Sequence, residues 1–356
     1  MKIKFLKASK GDCFLISFQD ENNVNRNILI DGGVNETYFD SVNNRDGELK
    51  YEIERIRKDK EKVDLLILTH IDNDHILGLL NWFKTDSEAY KLIGNVWFNS
   101  GRLISDTFKL PSNEDLDREF KIFKNTDTGV SEAIDFEKYL LDNQIWERKL
   151  IRKGMTFSEL GVKIEILTPE KKQLKRLLKE YRKKLGENVY TAGHIKDWDE
   201  SFMSLIQSET PKEIYKKQDY RAANCSSITF ILTIQGKKFL FLADGNAIKI
   251  ANALKEKGYS KQNPIHVEFM KVSHHGSRNN TCKKLLDIIK TDNYLMSTDS
   301  TSHGRPNKLS LARILSNNPN AVFHFNYDHV KRAVISKQDF KDFKFLKAFV
   351  TKEFPY

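Results

Sequence analysis

The chain has 356 residues, of which 39% are hydrophobic and 30% charged, a balance typical of a globular protein in water. No apolar run approaches the roughly 20 residues of a bilayer-spanning helix, so no membrane association is expected. The first residues alternate like a strand and lack the apolar core of a signal peptide, which predicts a cytoplasmic location. The formal net charge of +10 is compatible with a polyanionic partner such as nucleic acid, although many basic proteins bind none.

Three scattered cysteines, Cys13, Cys225 and Cys282, fit neither a disulfide framework nor a cysteine-based zinc site. They are predicted to be small buried residues. Cysteine chemistry is therefore not expected to carry the function.

The first hundred residues alternate between predicted strands and helices. Gly11 and Asp12 supply the turn between the first two strands, and a later strand ends at Asp31-Gly32-Gly33. This alternation favours an α/β layered fold in which ligands bind at strand ends. The predicted elements are strands at 2–6, 13–18, 26–30, 63–68 and 93–98, and helices at 49–60 and from 76 to 83.

Residues 101–223 are charged and mostly helical in character, with one short predicted strand at 162–167. Within this segment, leucines and a tyrosine between Leu174 and Leu185 recur at helical spacing, while most remaining positions are lysine or arginine. A solvated helix face is the commoner explanation of such a pattern. A surface that follows the phosphates of nucleic acid is the alternative.

The second half repeats the layout of strand, polar strand end and helix. Its strands are predicted to end in polar side chains at Asp244, at His274-His275 and at Asp299. The predicted strands are 227–234, 238–242, 265–272, 294–297, 321–326 and 333–335, and the predicted helices are 247–257 and 309–315.

Four side chains that bind metals fall within six residues, in the motif His70-x-Asp72-x-Asp74-His75. On an extended stretch, alternate residues point the same way, so His70, Asp72 and Asp74 are expected to converge while His75 turns with the chain. Carboxylates and imidazoles this close together suit a pair of divalent cations. The alternative is an acidic helix start, in which Asp72 or Asp74 caps a helix that begins at Ile76.

Polar groups recur at five predicted strand ends, which supplies enough ligands for a two-metal hydrolase site. Each group alone has a structural explanation, such as a turn at Asp244 or a buried pair at His274-His275. Their joint occurrence at strand ends favours a metal site.

Six short motifs together resemble one family. In chain order they are Gly11-Asp12, Asp31-Gly32-Gly33, the motif from His70 to His75, Asn224–Ser227 with its Asn-x-x-Ser pattern, Asp244, and His274–Ser277. These motifs resemble those of metallo-β-lactamase-fold hydrolases, and more closely the branch that includes the hydrolase domain of bacterial DNA-uptake channels. The resemblance covers residues 1–100, about 161–169 and 224–315.

The resemblance implies an α/β fold, a four-layered αβ/βα sandwich with a helical, charged insertion and a dinuclear site along one edge. One domain over residues 1–356 is expected, with helical insertions at 101–160 and 170–223. The cofactors would be two divalent metal ions, Zn²⁺ or Mn²⁺.

The family's ligand roles transfer to matching positions of this chain. His70 and Asp72 would hold the first metal, Asp74 and His75 the second, and Asp244 would bridge them. One or both of the two histidines at positions 274 and 275 would complete the metal shell or contact the scissile phosphate. The residues expected to support ligands or contact substrate are Asp31, Ser277 and His303.

Two departures from the family pattern affect the expected chemistry. Many members have histidine where Asp72 stands and a further histidine after the next strand, which here ends in Asn99-Ser100-Gly101; the richer oxygen content favours zinc or manganese over zinc alone. The branch often carries Gly-His-Pro where this chain reads Gly304-Arg305-Pro306. Either His303 replaces that histidine or Arg305 contacts a substrate phosphate. His194 is a further candidate ligand, although a surface position is the commoner explanation.

The expected function is metal-dependent hydrolysis of a phosphodiester in nucleic acid. Asp74 would accept a proton from water, and Lys271 and Arg305 would neutralise charge in the transition state. The alternatives are a metallo-hydrolase of a small molecule, such as a cyclic nucleotide, phosphate ester or lactone, and a subunit that binds a partner. Members of the branch also accompany ATPases in bacterial defence operons, which makes an ATPase encoded nearby a candidate partner.

Overall fold

The computed structural model describes residues 1–110, 129–183, 196–209, 218–301 and 304–356. The chain divides into two compact units. Unit 1 comprises Met1–Arg152, Pro169–Thr191 and Glu353–Tyr356, and unit 2 comprises Lys153–Thr168 and Ala192–Lys352. Each unit has its own sheet, so the predicted mixed α/β fold is confirmed. The domain and insertion boundaries drawn from the sequence stay predictions.

Unit 1 is built on a six-stranded sheet that changes from antiparallel to parallel pairing. Its strands, in sheet order, are β18 (Glu353–Pro355), β1 (Lys2–Phe5), β2 (Phe14–Gln19), β3 (Asn25–Ile30), β6 (Val63–Ile67) and β7 (Ile93–Trp97). The pairs from β18 to β3 are antiparallel, and β3, β6 and β7 are parallel. The carboxyl ends of the parallel strands therefore share one edge of the sheet.

The helices of unit 1 cover this sheet with apolar faces. Ile53 of α1 and Leu79 and Trp82 of α2 are almost completely buried. The α-helices are α1 (Glu48–Lys58), α2 (Asn73–Thr85), α3 (Gly101–Phe108), α4 (Val130–Asp142) and α5 (Lys171–Lys183), and a small ribbon is formed by β4 (Phe39–Asp40) and β5 (Arg45–Asp46).

Unit 2 contains an eight-stranded sheet that also combines antiparallel and parallel pairing. Its strands, in sheet order, are β17 (Lys347–Val350), β16 (Val322–Phe325), β15 (Asn293–Met296), β13 (Phe269–Lys271), β11 (Lys237–Phe241), β10 (Thr229–Ile234), β9 (Val162–Thr168) and β8 (Thr156–Glu159). The pairs from β17 to β11 are parallel and those from β11 to β8 antiparallel. Here too, the parallel strands end at a common edge.

Most of the remaining elements of unit 2 pack their apolar side chains into one core with this sheet. They are α6 (Phe202–Ser208), α8 (Ala247–Glu256), α9 (Lys283–Leu286), α10 (Lys308–Asn317), α11 (Asp328–Val334) and a ribbon of β12 (Ile265–His266) and β14 (Ile289–Lys290). Two further helices of unit 2 are α7 (Ala222–Cys225) and α12 (Lys337–Asp342). Among the described helices of both units, none is long and apolar enough to cross a membrane.

Most predicted elements are confirmed to within a few residues, and three predictions are wrong. The predicted strand 265–272 is divided between β12, which pairs with β14, and β13, which joins the main sheet. The predicted strand 333–335 ends helix α11, where Asp328 forms ion pairs with Lys331 and Arg332 one helical turn away. The strand at 162–167 is confirmed as β9, but the prediction that it is the one strand of its segment is wrong, because β8 pairs with it in a hairpin.

Candidate functional site

The motif from His70 to His75 lies where β6 ends and α2 begins, at the carboxyl edge of the parallel strands of unit 1. Helix α2 starts at Asn73, so Asp74 and His75 lie in its first turn. The expectation that Asp74 alternates with His70 and Asp72 on an extended chain is therefore wrong. The alternative of an acidic helix start is confirmed in part: Asp72 is the N-cap residue and Asp74 lies in the first turn, but the helix begins at Asn73 instead of Ile76, and Asp72 makes no side-chain cap hydrogen bond.

Asp31 fixes the orientation of His75. Its carboxylate Oδ2 lies 2.8 Å from His75 Nδ1, and the Thr69 hydroxyl and backbone N–H donate to the same carboxylate, each at 2.8 Å. Burial raises the pKa of Asp31, and His75 and the Thr69 N–H oppose that rise. With Nδ1 donating to Asp31, His75 presents Nε2 as its basic nitrogen, which is the arrangement of a metal-binding histidine oriented by a carboxylate.

His70 is oriented by the same group through Thr69. The Thr69 hydroxyl donates its one proton to Asp31, so it can only accept from His70 Nδ1, 3.1 Å away. His70 therefore also presents Nε2 as its basic nitrogen. Nε2 lies 3.8 Å from Asp72 Oδ2, and the ring centroids of His70 and His75 are 4.1 Å apart.

Asp12, in the hairpin between β1 and β2, belongs to this cluster, although the sequence analysis gave it a place in a turn and in the Gly11-Asp12 motif but no ligand role. It is 1% exposed, its backbone N–H donates to the Asp74 carbonyl at 3.3 Å, and its charge adds to the raised pKa of Asp31. Gly11 permits this approach, because a Cβ there would lie 1.8 Å from the Asp74 carbonyl oxygen. The Gly-Asp pair beside a strand was the only available signal.

The donor set of unit 1 fits a divalent cation. Asp12, Asp31 and His75 each offer a ligand atom, and these atoms all lie within 4.8 Å of one another. Buried carboxylates beside an imidazole whose basic nitrogen is fixed form a site of mixed oxygen and nitrogen ligands, which suits zinc or manganese.

In unit 2, Asp244 and His274-His275 follow the ends of two adjacent parallel strands, β11 and β13. The backbone is left-handed at Ala243 (φ 41°) and at both histidines (φ 51° and 53°). Left-handed conformations are unfavourable for non-glycine residues and cluster at functional sites. The consecutive left-handed residues leave the two imidazole planes 65° apart.

His275 has the surroundings of a metal ligand. Its Nδ1 lies 2.8 Å from the Ser297 carbonyl, which can only accept, so Nε2 is again the basic nitrogen. Asp244 Oδ1 lies 3.6 Å from Nε2. A backbone carbonyl orients many metal-binding histidines in this way.

His274 is bound differently, between carboxylates and arginines. Its Nδ1 lies 2.9 Å from Asp219 Oδ2, and its Nε2 lies 2.9 Å from Arg221 Nη2 and 3.3 Å from Asp244 Oδ2. Burial and the Arg305 charge lower the pKa of His274 to about 4, against the opposing effect of Asp244 and Asp219. A neutral imidazole can donate through Nδ1 to Asp219 and accept through Nε2 from Arg221.

Arg221 and Asp219 are additional residues that sequence reasoning missed. Burial opposes ionisation of Asp219, but His274 and Arg221 hold its pKa well below the usual range. The Arg221 side chain is 46% exposed although its guanidinium is anchored by Asp219 and His274. An arginine fixed at one side and open to solvent at the other can bind an anionic oxygen. Its closeness in sequence to Asn224–Ser227 was the only available signal.

The other predicted residues have distinct surroundings. Lys271 is buried and donates from Nζ to the Ala243 carbonyl at 3.2 Å, next to Asp244. The buried Ser277 accepts at Oγ from the Asn279 N–H, which stabilises the turn after the histidines. His303 and His194 lie outside the described residues. The three cysteines are buried, as predicted, and none forms a disulfide.

Comparison with known proteins supports the resemblance found in the sequence. Residues 7–136 match the family model for the metallo-beta-lactamase superfamily, and no curated protein matches the chain. Among solved structures, the metallo-beta-lactamase fold protein YhfI from Bacillus subtilis is similar at 10% identity and a TM-score of 0.39, over 99% of this chain and 98% of that one. A likeness at so low a score adds nothing to the family match.

The family match supports a metal-dependent hydrolase in general. It does not extend to the branch of the DNA-uptake channels or to the identity of the metal, which stay predictions. The predicted resemblance to the metallo-β-lactamase superfamily is confirmed for residues 7–136.

Proposed function

We propose that the protein is a metal-dependent phosphodiesterase that hydrolyses nucleic acid. The observation that carries this proposal is the pair of Asp12 and His75, whose ligand atoms lie within 4.8 Å of one another, with His75 oriented by the buried Asp31 carboxylate. Such an arrangement supports metal binding and not merely a structural polar network. The net charge of +10 supports a polyanionic substrate.

The proposed metal ligands lie at strand ends and are described for each unit separately. Those of unit 1 are His70, Asp72, Asp74 and His75, with Asp12 added by the structure. Those of unit 2 are Asp244 and His275. When bound, two divalent ions, Zn²⁺ or Mn²⁺, lower the pKa of water and polarise the phosphoryl oxygen.

The protein side chains supply the proton transfer. Asp74 lies in the first turn of α2 with Oδ1 4.0 Å from His75 Nε2, and its side chain is partly exposed. In the proposed reaction its carboxylate accepts the proton that the attacking water loses. Asp31 keeps His75 in one tautomer throughout, since its own carboxylate accepts from Nδ1.

Arginines of unit 2 are proposed to bind the substrate phosphate. Arg221 is anchored by Asp219 and His274 while its side chain remains 46% exposed, and Arg305 lies close enough to lower the pKa of His274. We assign His274 to positioning Arg221 and His275 to the metal. We assign Lys271 to stabilising the strand end that precedes Asp244, through its hydrogen bond to the Ala243 carbonyl.

The test is an assay of the purified protein on labelled DNA, RNA and mononucleotide esters with Zn²⁺, Mn²⁺ or Mg²⁺. We expect metal-dependent cleavage of a polymer that is lost in Asp74→Ala. Asp142→Asn is the matched control, because Asp142 is an exposed carboxylate on helix α4 paired only with Lys138 among the described residues. Metal content of each protein is measured alongside.

Cleavage of mononucleotide esters without cleavage of polymers would support the small-molecule hydrolase instead. No metal-dependent activity on any substrate, or equal activity in Asp74→Ala, would overturn the catalytic proposal. A role in bacterial defence beside an ATPase, and a cytoplasmic location, stay predictions.

A further inference from the structure

One face of helix α5 is buried in the interior of unit 1. The side chains of Leu174, Leu177, Leu178 and Tyr181 are at most 2% exposed. Tyr181 packs against the start of α3, where a Cβ on Gly101 would lie 2.9 Å from Tyr181 Cδ1. At the other end of α3, Phe108 contacts Lys171 and Lys175 of α5. The two helices therefore run antiparallel.

The opposite face of α5 is basic. Lys171, Lys172, Arg176 and Lys179 are exposed, and Lys175 is half-buried. The Nζ atoms of Lys171 and Lys175 lie 4.9 Å and 5.8 Å from the centroid of the Phe108 ring, so a cation–π contact restricts both ammonium groups. We call these five side chains the α5 basic face.

The spacing of these lysines suits a row of phosphates. Lys171, Lys175 and Lys179 are four residues apart, which places them in one row with a rise of about 6 Å per step along the helix. None of the three forms an ion pair with a carboxylate in the part of the chain that the structure describes. Three cations in a row without acidic partners attract a polyanion more strongly than a salt-bridged surface does.

The carboxyl end of α5 lies near the edge of unit 1 that carries the proposed metal ligands. Gly101 follows the end of β7, and His70 follows the end of the adjacent parallel strand β6. Since Tyr181 packs on Gly101, the carboxyl end of α5 lies near the edge from which the motif at His70–His75 emerges, and the basic face extends from there along α3 to Phe108. Gly129, the N-cap residue of α4, packs against this motif, because a Cβ there would lie 1.6 Å from the Ile71 carbonyl oxygen.

We propose that the α5 basic face binds the phosphate backbone of the nucleic-acid substrate. This inference rests on the proposed function, and it identifies the surface on which the polymer is held. A lipid surface is a poorer partner, because membrane-bound amphipathic helices insert an apolar face, whereas the apolar face of α5 is buried in the protein. Binding of this kind carries no sequence preference.

The test measures binding of labelled single-stranded and duplex oligonucleotides in EDTA, by fluorescence anisotropy over a range of KCl concentrations. Replacing Lys171, Lys175 and Lys179 together by glutamine should weaken binding about tenfold or more. It should also reduce the slope of log K against log[KCl] by about 2 to 3, given about 0.7 to 0.9 per lost contact. Glutamine has nearly the helix propensity of lysine, so α5 should persist, and circular dichroism checks this.

Two matched variants accompany this triple replacement. Replacement of Lys337, Lys341 and Lys344 by glutamine removes the same charge from exposed positions of unit 2 and should leave the slope nearly unchanged. Replacement of the three α5 lysines by arginine keeps the charge and should retain the binding.

The outcomes separate this proposal from the proposed function. An unchanged slope in the α5 glutamine variant, or equal loss in the unit 2 control, would overturn the binding surface even if polymer cleavage is real. Binding to anionic vesicles but not to oligonucleotides would overturn nucleic acid as its partner. Hydrolysis of a mononucleotide ester should be equal in all three variants and the parent, and its absence in every protein would instead count against the proposed chemistry.

Discussion

His75 of unit 1 and His274 of unit 2 are each oriented by a buried carboxylate, and they differ in the groups around the other ring nitrogen. In each, a buried carboxylate fixes Nδ1: Asp31 at 2.8 Å for His75 and Asp219 at 2.9 Å for His274. At the opposite nitrogen, the Asp74 carboxylate lies 4.0 Å from His75 Nε2, whereas the Arg221 guanidinium lies 2.9 Å from His274 Nε2.

This difference separates two roles that the sequence could not separate. A fixed imidazole among carboxylates is suited to a cation, because the carboxylates favour positive charge at Nε2. A fixed imidazole that accepts from arginine is suited to holding that arginine toward an anion. We therefore propose that His75, beside carboxylates, is a metal ligand and that His274, whose Nε2 lies 2.9 Å from Arg221 and 3.3 Å from Asp244 Oδ2, is a positioning residue.

The largest effect is expected at His75. His75→Ala should abolish tight binding of one metal and reduce hydrolysis by more than about 100-fold, because it removes a ligand and not only its support. Asp31→Asn should reduce metal affinity by about 10- to 100-fold, since it removes only the orienting group. Metal content after dialysis and activity measure both; full metal content in His75→Ala would contradict its assignment as a ligand.

The next effect is expected at Arg221. Arg221→Ala should raise KM for a polymer by about 10- to 100-fold, the range for loss of a charge-assisted hydrogen bond, with metal content unchanged. Arg221→Lys should restore only part of this, because an ammonium lacks the planar fork of a guanidinium. Steady-state kinetics give the separation of KM from kcat, and a loss of metal in either variant would argue that unit 2 was simply misfolded.

A smaller effect is expected at Asp219. Asp219→Asn removes the charge that fixes His274 Nδ1–H, so Arg221 should be held less firmly and KM should rise about tenfold. Metal content should stay at the parent level. If Asp219→Asn instead loses metal while Arg221→Ala does not, then His274 is a metal ligand and the contrast with His75 disappears.

The smallest effect is expected at Glu137, a buried carboxylate of unit 1 that accepts from the Ser100 hydroxyl at 2.8 Å. Burial raises its pKa, with the Ser100 hydrogen bond opposing. Because the folded-state pKa exceeds the unfolded one, its contribution to stability is present at low pH and is lost as pH rises through the folded pKa.

Glu137→Gln keeps an acceptor for Ser100 and removes this charge. The variant should melt a few degrees above the parent at pH 8, and the difference should vanish below the ordinary glutamate pKa of about 4.3. Thermal unfolding at both pH values provides the measurement. An equal or lower melting temperature at pH 8 would show that Glu137 is stabilised as a carboxylate, like Asp219.

The sequence predicted the fold class and where polar groups meet the sheet, because strands ending in aspartate or histidine are visible without coordinates. It could not predict that Asp12 joins the cluster, since a carboxylate after glycine is typical of a turn. Arg221 was also missed, because its role depends on His274, which is 53 residues away. The division of 265–272 into two strands depends on pairing with β14, a contact between separate segments that the local sequence does not specify.

The left-handed backbone at His274 and His275 has a consequence for laboratory evolution. Each such residue costs about 1–2 kcal/mol relative to glycine in the same conformation. A library of this protein selected only for thermal stability should therefore accumulate glycine or asparagine at positions 274 and 275. A library selected for hydrolysis should keep at least His275, so the two selections should diverge first at this dipeptide.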